Sequence, residues 1–177
     1  YFYLYIKNFS NAENVYLCDL TDVYFQKNIF DIIKNDKVYV SSENKQIKDC
    51  DVNTAWMNIC YNAETFEKYK DSDIINGGSI LGKRESCINL LKEMCTDMQG
   101  IISRVGNYAN IDQASLTKTV HSLKKYNILD NYEIANLAQC TEEDIKEDKL
   151  FKIKDRCPYV IHQYDIHTKL KEKIYKK

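Results

Sequence analysis

The stretch at residues 14–30, NVYLCDLTDVYFQKNIF, decides how the chain is read. Val15, Tyr16, Leu17 and Cys18 form a short apolar run of β-prone residues that stops at Asp19-Leu20-Thr21-Asp22. Such a run, bounded by polar residues, predicts a buried strand over residues 14–20. Carboxylates at the end of a buried strand are costly unless something pairs with them. Hard divalent cations take carboxylate oxygens, and in open α/β sheets ligands sit just outside the carboxyl ends of strands. Asp19 and Asp22 are therefore candidate metal ligands. A solvated turn is the plain alternative, because Asp and Thr favour turns and helix N-caps.

The 177 residues suit one domain with a sizeable core, and the apolar fraction of 44% is ordinary for a globular protein. A net charge of −1 leaves no basic field for nucleic acid and no polybasic tail for a membrane surface. No run of 18 apolar residues occurs, so no transmembrane helix is expected, and no signal peptide is recognisable. The seven Cys form no CxxC, which argues against a zinc site. Their odd number and scatter fit reduced thiols in a reducing compartment better than a disulfide framework. Asn8-Phe9-Ser10 is a lone glycosylation sequon, a weak signal. The chain opens without Met on YFYLYIKNF, which reads as the tail of a buried helix. A longer protein beginning upstream is therefore expected.

Along the chain, residues 28–33 read as a short helix, residues 37–41 (KVYVS) as a strand and residues 43–53 as a polar loop. Residues 54–61, with Trp56, and residues 66–70 are further helical pieces. Asn76-Gly77-Gly78-Ser79 opens a glycine-rich segment. Asn-Gly is the strongest short hairpin signal, so a turn is favoured there over a close backbone approach to a ligand. Apolar residues at helical spacing predict a long helix over residues 83–105 and another over 112–124, with Leu116, Val120 and Leu123 inward. Asp112 lies in the first turn of the latter, where a carboxylate is favoured by the helix dipole. His121 reads as an exposed helix residue. Candidate strands at 133–138, 150–153 and 158–163 surround an acidic loop at 142–148, and a Lys-rich helix over 166–175 closes the chain, with His167 a surface or capping residue. Strands alternating with helices give an α/β class with mixed late strands.

Four features fall at the ends of predicted elements: Asp19/Asp22, Asn76-Gly77-Gly78, Asp112-Gln113 and His162. Two carboxylates and an imidazole suit Mn²⁺ or Mg²⁺ with coordination positions left for substrate oxygens. Such an ion can neutralise a leaving diphosphate.

The order DLTDVYFQ, NTAWM, NGGSILG, DQASL and VIHQYDIH resembles the metal-dependent nucleotide-sugar glycosyltransferases of the GT-A fold, over roughly residues 1–173. The resemblance implies a GT-A-like mixed sheet flanked by helices. The single domain at residues 1–177 would then be the C-terminal part of a GT-A domain whose first nucleotide-binding strands lie upstream. It implies Asp19, Asp22 and His162 as ligands of Mn²⁺ or Mg²⁺, with Asp19 also contacting the nucleotide diphosphate. Asn76, Gly77, Gly78 and Gln113 would bind substrate, and Asp112 would be the carboxylate closest to the chemistry. The partners implied are a UDP- or GDP-linked sugar donor and a glycan or glycoconjugate acceptor. Two departures stand out: the acidic motif is D-x-x-D where D-x-D is commoner, and Ile166 occupies a position that is usually basic.

Two other readings compete. An apolar strand ending in Asp also suits an aspartate-based phosphohydrolase, although DLTDV is not its usual form. A sugar-nucleotide-binding or interaction domain without turnover is the non-enzymatic alternative.

Overall fold

The computed structural model describes residues 2–8, 11–106, 111–146 and 148–176. Tyr1, Phe9 and Ser10, which belong to the expected N-terminal helix and the sequon, lie outside the described residues. The class is mixed α/β, with six α-helices and three sheets among those residues.

The first sheet has the order β1-β4-β3-β5, formed by β1 (Asn14–Cys18), β4 (Asp73–Lys83), β3 (Tyr39–Gln46) and β5 (Asn127–Leu129). β4 runs antiparallel to both β1 and β3, while β5 joins β3 in parallel. The second sheet, β2-β9-β6, holds β2 (Val23–Phe25), β9 (Val160–His162) and β6 (Ile134–Asn136). β7 (Ile145–Lys146) and β8 (Lys152–Ile153) form a small hairpin.

Helices α1 (Phe2–Asn8), α4 (Arg84–Val105) and α5 (Ile111–Leu123) bury Ile6, Cys87, Leu90, Leu91, Met94, Leu116 and Val120 against Val40, Ile75 and Ile80 of the first sheet and Val38 just before β3. A buried Leu or Ile contributes roughly 1.5–3 kcal/mol by leaving water, whereas Gly100 inside α4 costs about 0.5–1 kcal/mol. The wholly buried Leu90 and Ile101 thus outweigh the glycine, and α4 runs unbroken to Gly106. Gly106 takes φ 78° and donates to the Ile102 carbonyl, which ends the helix. On the sheet's other face, Tyr39 and Leu81 pack against Ile134 and Val160 of the second sheet and against Ile29 and Ile32 of a short 3-10 turn. α2 (Asp51–Cys60) and α3 (Ala63–Tyr69) complete a further cluster with Ile74 and Ile111.

Several expectations change. α1 buries only Ile6 among its residues, while Phe2, Leu4 and Tyr5 are exposed, so it is not a buried helix. β1 is half-buried, with Leu17 its one buried residue, because it is an edge strand. The expected loop at 43–53 is absent: β3 continues to Gln46, a 3-10 turn follows at Ile47–Asp49, and α2 starts at Asp51. Glu43 is accommodated there because it accepts from Asn76 across the sheet, while Asn44, Lys48, Asp49 and Asp51 are exposed. Leu123 is exposed at the end of α5, and His121 is half-buried, with Nε2 2.7 Å from the Asp73 carbonyl oxygen. His167 precedes α6 (Thr168–Ile174), but its ring is buried against the Leu137 carbonyl. No described helix is long and apolar enough to cross a membrane.

Candidate functional site

Strand register assembles the site. β1 stops at Cys18, opposite Ser79, so Asp19 continues past the pairing beside Gly78. Asp22 immediately precedes β2, whose Val23 faces His162 across an antiparallel pair. β6 lies parallel to β9 and sets Asn136 beside His162. Residues 22, 136 and 162, scattered in sequence, thereby meet at one end of the second sheet, against the first.

His162 Nε2 lies 3.0 Å from Asp19 Oδ2 and 3.5 Å from Asp22 Oδ2. One ligand atom from each of the three residues falls within 4.8 Å of the others, a spacing that a single cation can span. The His162 side chain is 2% exposed, Asp22 19% and Asp19 56%. The centre therefore has a buried floor and one carboxylate open to an incoming ligand. Burial, then the like charges of Asp19 and Asp165, hold the Asp22 carboxyl above its ordinary range, against the opposing pull of His162. Asp22 Oδ1 is buried without a hydrogen-bond partner among the described residues. Two carboxylate oxygens and an imidazole nitrogen, with a buried oxygen still to be satisfied, are a donor set that could hold a metal ion.

The acidic turn is held from the two residues that follow β9. Gln163 takes φ 60°, a left-handed conformation that costs a non-glycine residue about 1–2 kcal/mol. Its N–H donates to the Asp22 carbonyl at 2.8 Å, and the Tyr164 hydroxyl donates to the Thr21 carbonyl at 3.1 Å. HQYD is thus a clasp on DLTD as well as the source of His162.

Asn76-Gly77-Gly78 is not a hairpin turn. It lies inside β4, where Val40 pairs with Ile80 but Ser42 pairs with Ile75, so residues 76–79 bulge opposite Ser41. Neither Gly77 nor Gly78 has positive φ. Gly78 is small because a Cβ there would overlap Asp19 Oδ2 and stand 2.6 Å from His162 Cε1. The backbone N–H groups are committed internally: Gly77 donates to Gln113 Oε1 at 3.2 Å and Gly78 to Asn76 Oδ1 at 3.0 Å. The segment is therefore a packed wall of the site, not a cradle of free N–H donors.

Glu43, only 5% exposed, anchors that wall. Its Oε1 accepts from Asn76 Nδ2 at 3.1 Å and from Gln113 Nε2 at 3.4 Å. Gln113 Nε2 also donates to Asn53 Oδ1 at 3.0 Å. Glu43 further lines a polar cavity of about 80 Å³ with Asn44, Asn131, Tyr132 and Lys154.

The structure brings together Asp19, Asp22, His162 and Gly78, and joins Asn76, Gly77 and Gln113 through Glu43. Asp112 is exposed in the first turn of α5 and makes no hydrogen bond among the described residues; it adjoins the network only through Gln113. Glu43, Asn53 and Asn136 escaped the sequence reading. For Asn136 one signal existed: an amide in an apolar strand context, where asparagine is disfavoured without a partner. No protein-family model matches the chain, and no curated protein is significantly similar to it.

Proposed function

We propose that this chain carries the metal and donor-sugar side of a nucleotide-sugar glycosyltransferase site of GT-A type. The single observation that carries the proposal is the convergence of Asp19, Asp22 and His162 within 4.8 Å, beside a glycine whose missing Cβ makes room for them. A divalent cation held there supplies charge neutralisation for a leaving diphosphate.

The chain's own residues do the rest. Asp19, more than half exposed, is the ligand that an incoming diphosphate meets. Asp22 and His162 form the buried side of the centre and are pinned from β9. Asn76, Gly77, Gly78 and Gln113 line the donor-sugar side, stiffened through Glu43 so that little reordering is needed when substrate enters. Asp112, exposed at the head of α5, is the carboxylate available to the reacting sugar or the acceptor hydroxyl. The acceptor is a glycan or glycoconjugate hydroxyl.

The test is calorimetric titration of UDP and GDP with and without Mn²⁺, followed by assay of metal-dependent hydrolysis of the matching sugar nucleotides. Metal-dependent binding to wild type, lost in Asp22→Asn and in His162→Ala with the fold retained, is the expected result. Binding of both nucleotides independently of Mn²⁺, or full activity in either variant, would sink the assignment. Metal-dependent binding without any turnover would favour a sugar-nucleotide-binding domain instead.

A further inference from the structure

We infer that Thr117 is a positioning residue. Its hydroxyl is the middle rung of a side-chain ladder through which α5 stands in for a strand beside β4 and holds Gln113 next to the Asp19–Asp22–His162 centre. The consequence for turnover rests on the function proposed above; the ladder itself does not.

The ladder begins where β1 ends. β1 pairs with β4 over residues 79–83 and stops at Cys18, so residues 73–77 of β4 extend past it. A strand turns the N–H and C=O of every second residue to the same side, and buried backbone groups there need a partner even where no strand supplies one. Here α5 supplies the partners. The Gly77 N–H donates to Gln113 Oε1 at 3.2 Å. The Ile75 N–H donates to Thr117 Oγ1 at 3.2 Å, and the same hydroxyl donates to the Ile75 carbonyl at 3.3 Å. His121 Nε2 lies 2.7 Å from the Asp73 carbonyl oxygen, which only accepts, so the ring donates.

The three rungs share one spacing. Residues 113, 117 and 121 lie four apart on one face of α5, about 6 Å per step along its axis. Residues 77, 75 and 73 lie two apart on β4, about 6.7 Å per step. Helix and strand run in opposite directions and keep register over all three. The middle rung satisfies both backbone groups of its partner. Ile75 is 0% exposed and Thr117 2%, so water does not replace the hydroxyl. This accounts for a threonine in the buried face of α5. The top rung adjoins the candidate site: Gly77 precedes Gly78, and a Cβ on Gly78 would collide with Asp19 and His162. The register of α5 thereby decides where Gln113, and Asp112 before it, stand relative to the centre.

Thr117→Val keeps the side-chain shape and removes the hydroxyl; Thr117→Ser keeps the hydroxyl. Amide hydrogen exchange, read residue by residue by NMR, follows the ladder without substrate or metal. The wild-type Ile75 and Gly77 amides are expected to be protected. In Thr117→Val both should exchange at least about tenfold faster, while Leu81, paired with Tyr16 and Tyr39, keeps its rate and Thr117→Ser restores both. Acceleration at Ile75 alone would reduce Thr117 to a local contact and overturn the positioning role. A wild-type Ile75 amide that exchanges like an unstructured peptide would overturn the ladder itself. Should Thr117→Val not fold, the wild-type and Thr117→Ser rates decide, and an unprotected Gly77 in either would overturn the inference. For turnover, Thr117→Val is expected to lower kcat for hydrolysis of the sugar donor about tenfold or more, with KM and Mn²⁺ affinity near wild type and recovery in Thr117→Ser, because misplaced groups cost rate before binding. Unchanged kcat with both amides freed would overturn the link to the site. A wild type without turnover, but with Ile75 and Gly77 freed together in Thr117→Val, would remove the glycosyltransferase reading and uphold the ladder.

Discussion

Gly78 faces Asp19 so closely that a single methyl on Gly78 would occupy the space of the Asp19 carboxylate. The two belong to different segments, joined by the antiparallel register that pairs Cys18 with Ser79. Of the two side chains that the methyl would meet, His162 is buried and held at Nδ1, whereas Asp19 is 56% exposed and free to swing outward. Gly78→Ala should therefore cost the centre a ligand before it costs the fold. The expectation is at least about a tenfold loss of Mn²⁺ affinity, of the order seen when metal-site geometry is disturbed, with an unchanged far-UV circular dichroism spectrum. Wild-type affinity in the alanine variant would show that Asp19 is not a ligand.

This glycine illustrates what the sequence discloses and what it hides. The meeting of Asp19, Asp22 and His162 was legible because all three fall at the ends of predicted strands, where ligands of α/β sheets sit. The α4 and α5 helices were legible from apolar spacing. Asn76-Gly77 misled, since the same dipeptide that makes a hairpin also serves a bulge, and only pairing with β3 and β1 distinguishes them. Glu43 was hidden for a similar reason. A polar run reads as loop unless the partners that satisfy it are known, and those partners, Asn76 and Gln113, lie 33 and 70 residues away.

Glu43 gives the second prediction. Removing its carboxylate leaves the buried Asn76 amide without its partner and loosens Gln113, and an orphaned buried donor costs about 1–3 kcal/mol. At this chain length that corresponds to a fall in Tm of roughly 2–12 °C. Glu43→Ala is expected to lower Tm in this range and to reduce turnover of the sugar donor, while Mn²⁺ affinity stays near wild type because the hydrogen bonds lost go to Asn76 and Gln113 of the wall. Differential scanning calorimetry and metal titration measure the two effects separately. A parallel loss of Mn²⁺ affinity would mean that the wall and the metal centre are one unit.

Asp22 sets a pH dependence. Burial raises its carboxyl pKa in the folded protein above the ordinary 3.8, so the native state holds the proton more tightly than the unfolded chain does. The metal-free protein thus has this contribution in full below about pH 3.8 and loses it as pH rises through the elevated native value. Above that value the ionised carboxylate is a standing cost, which Asn does not share. Asp22→Asn is expected to raise the Tm of the metal-free protein at pH 7 and to flatten its pH profile. It should also abolish the stabilisation by Mn²⁺, which for wild type reaches about 2.7 kcal/mol at a hundredfold excess over Kd. Thermal melts across pH, with and without Mn²⁺, read both effects; a destabilised Asp22→Asn protein at pH 7 would contradict the assignment.

The neighbours Asp112 and Gln113 should separate chemistry from architecture. Gln113 donates to Asn53 and Glu43 and accepts from Gly77, so Gln113→Ala breaks three contacts and should lower both Tm and turnover. Asp112 is exposed and makes no hydrogen bond among the described residues, so Asp112→Asn breaks none of the bonds described. Among the described residues its structural service is a charge in the first turn of α5, worth about 0.3–1 kcal/mol against the helix dipole. Any loss of activity beyond about fivefold therefore cannot be charged to folding in that variant, since 1 kcal/mol corresponds to that factor. If Asp112 faces the reacting sugar or acceptor, Asp112→Asn loses on the order of 10²-fold or more in kcat, as for a positioned acid or base, with Mn²⁺ affinity and Tm nearly unchanged. If kcat also stays within fivefold, Asp112 is a helix-start residue and not the reacting carboxylate.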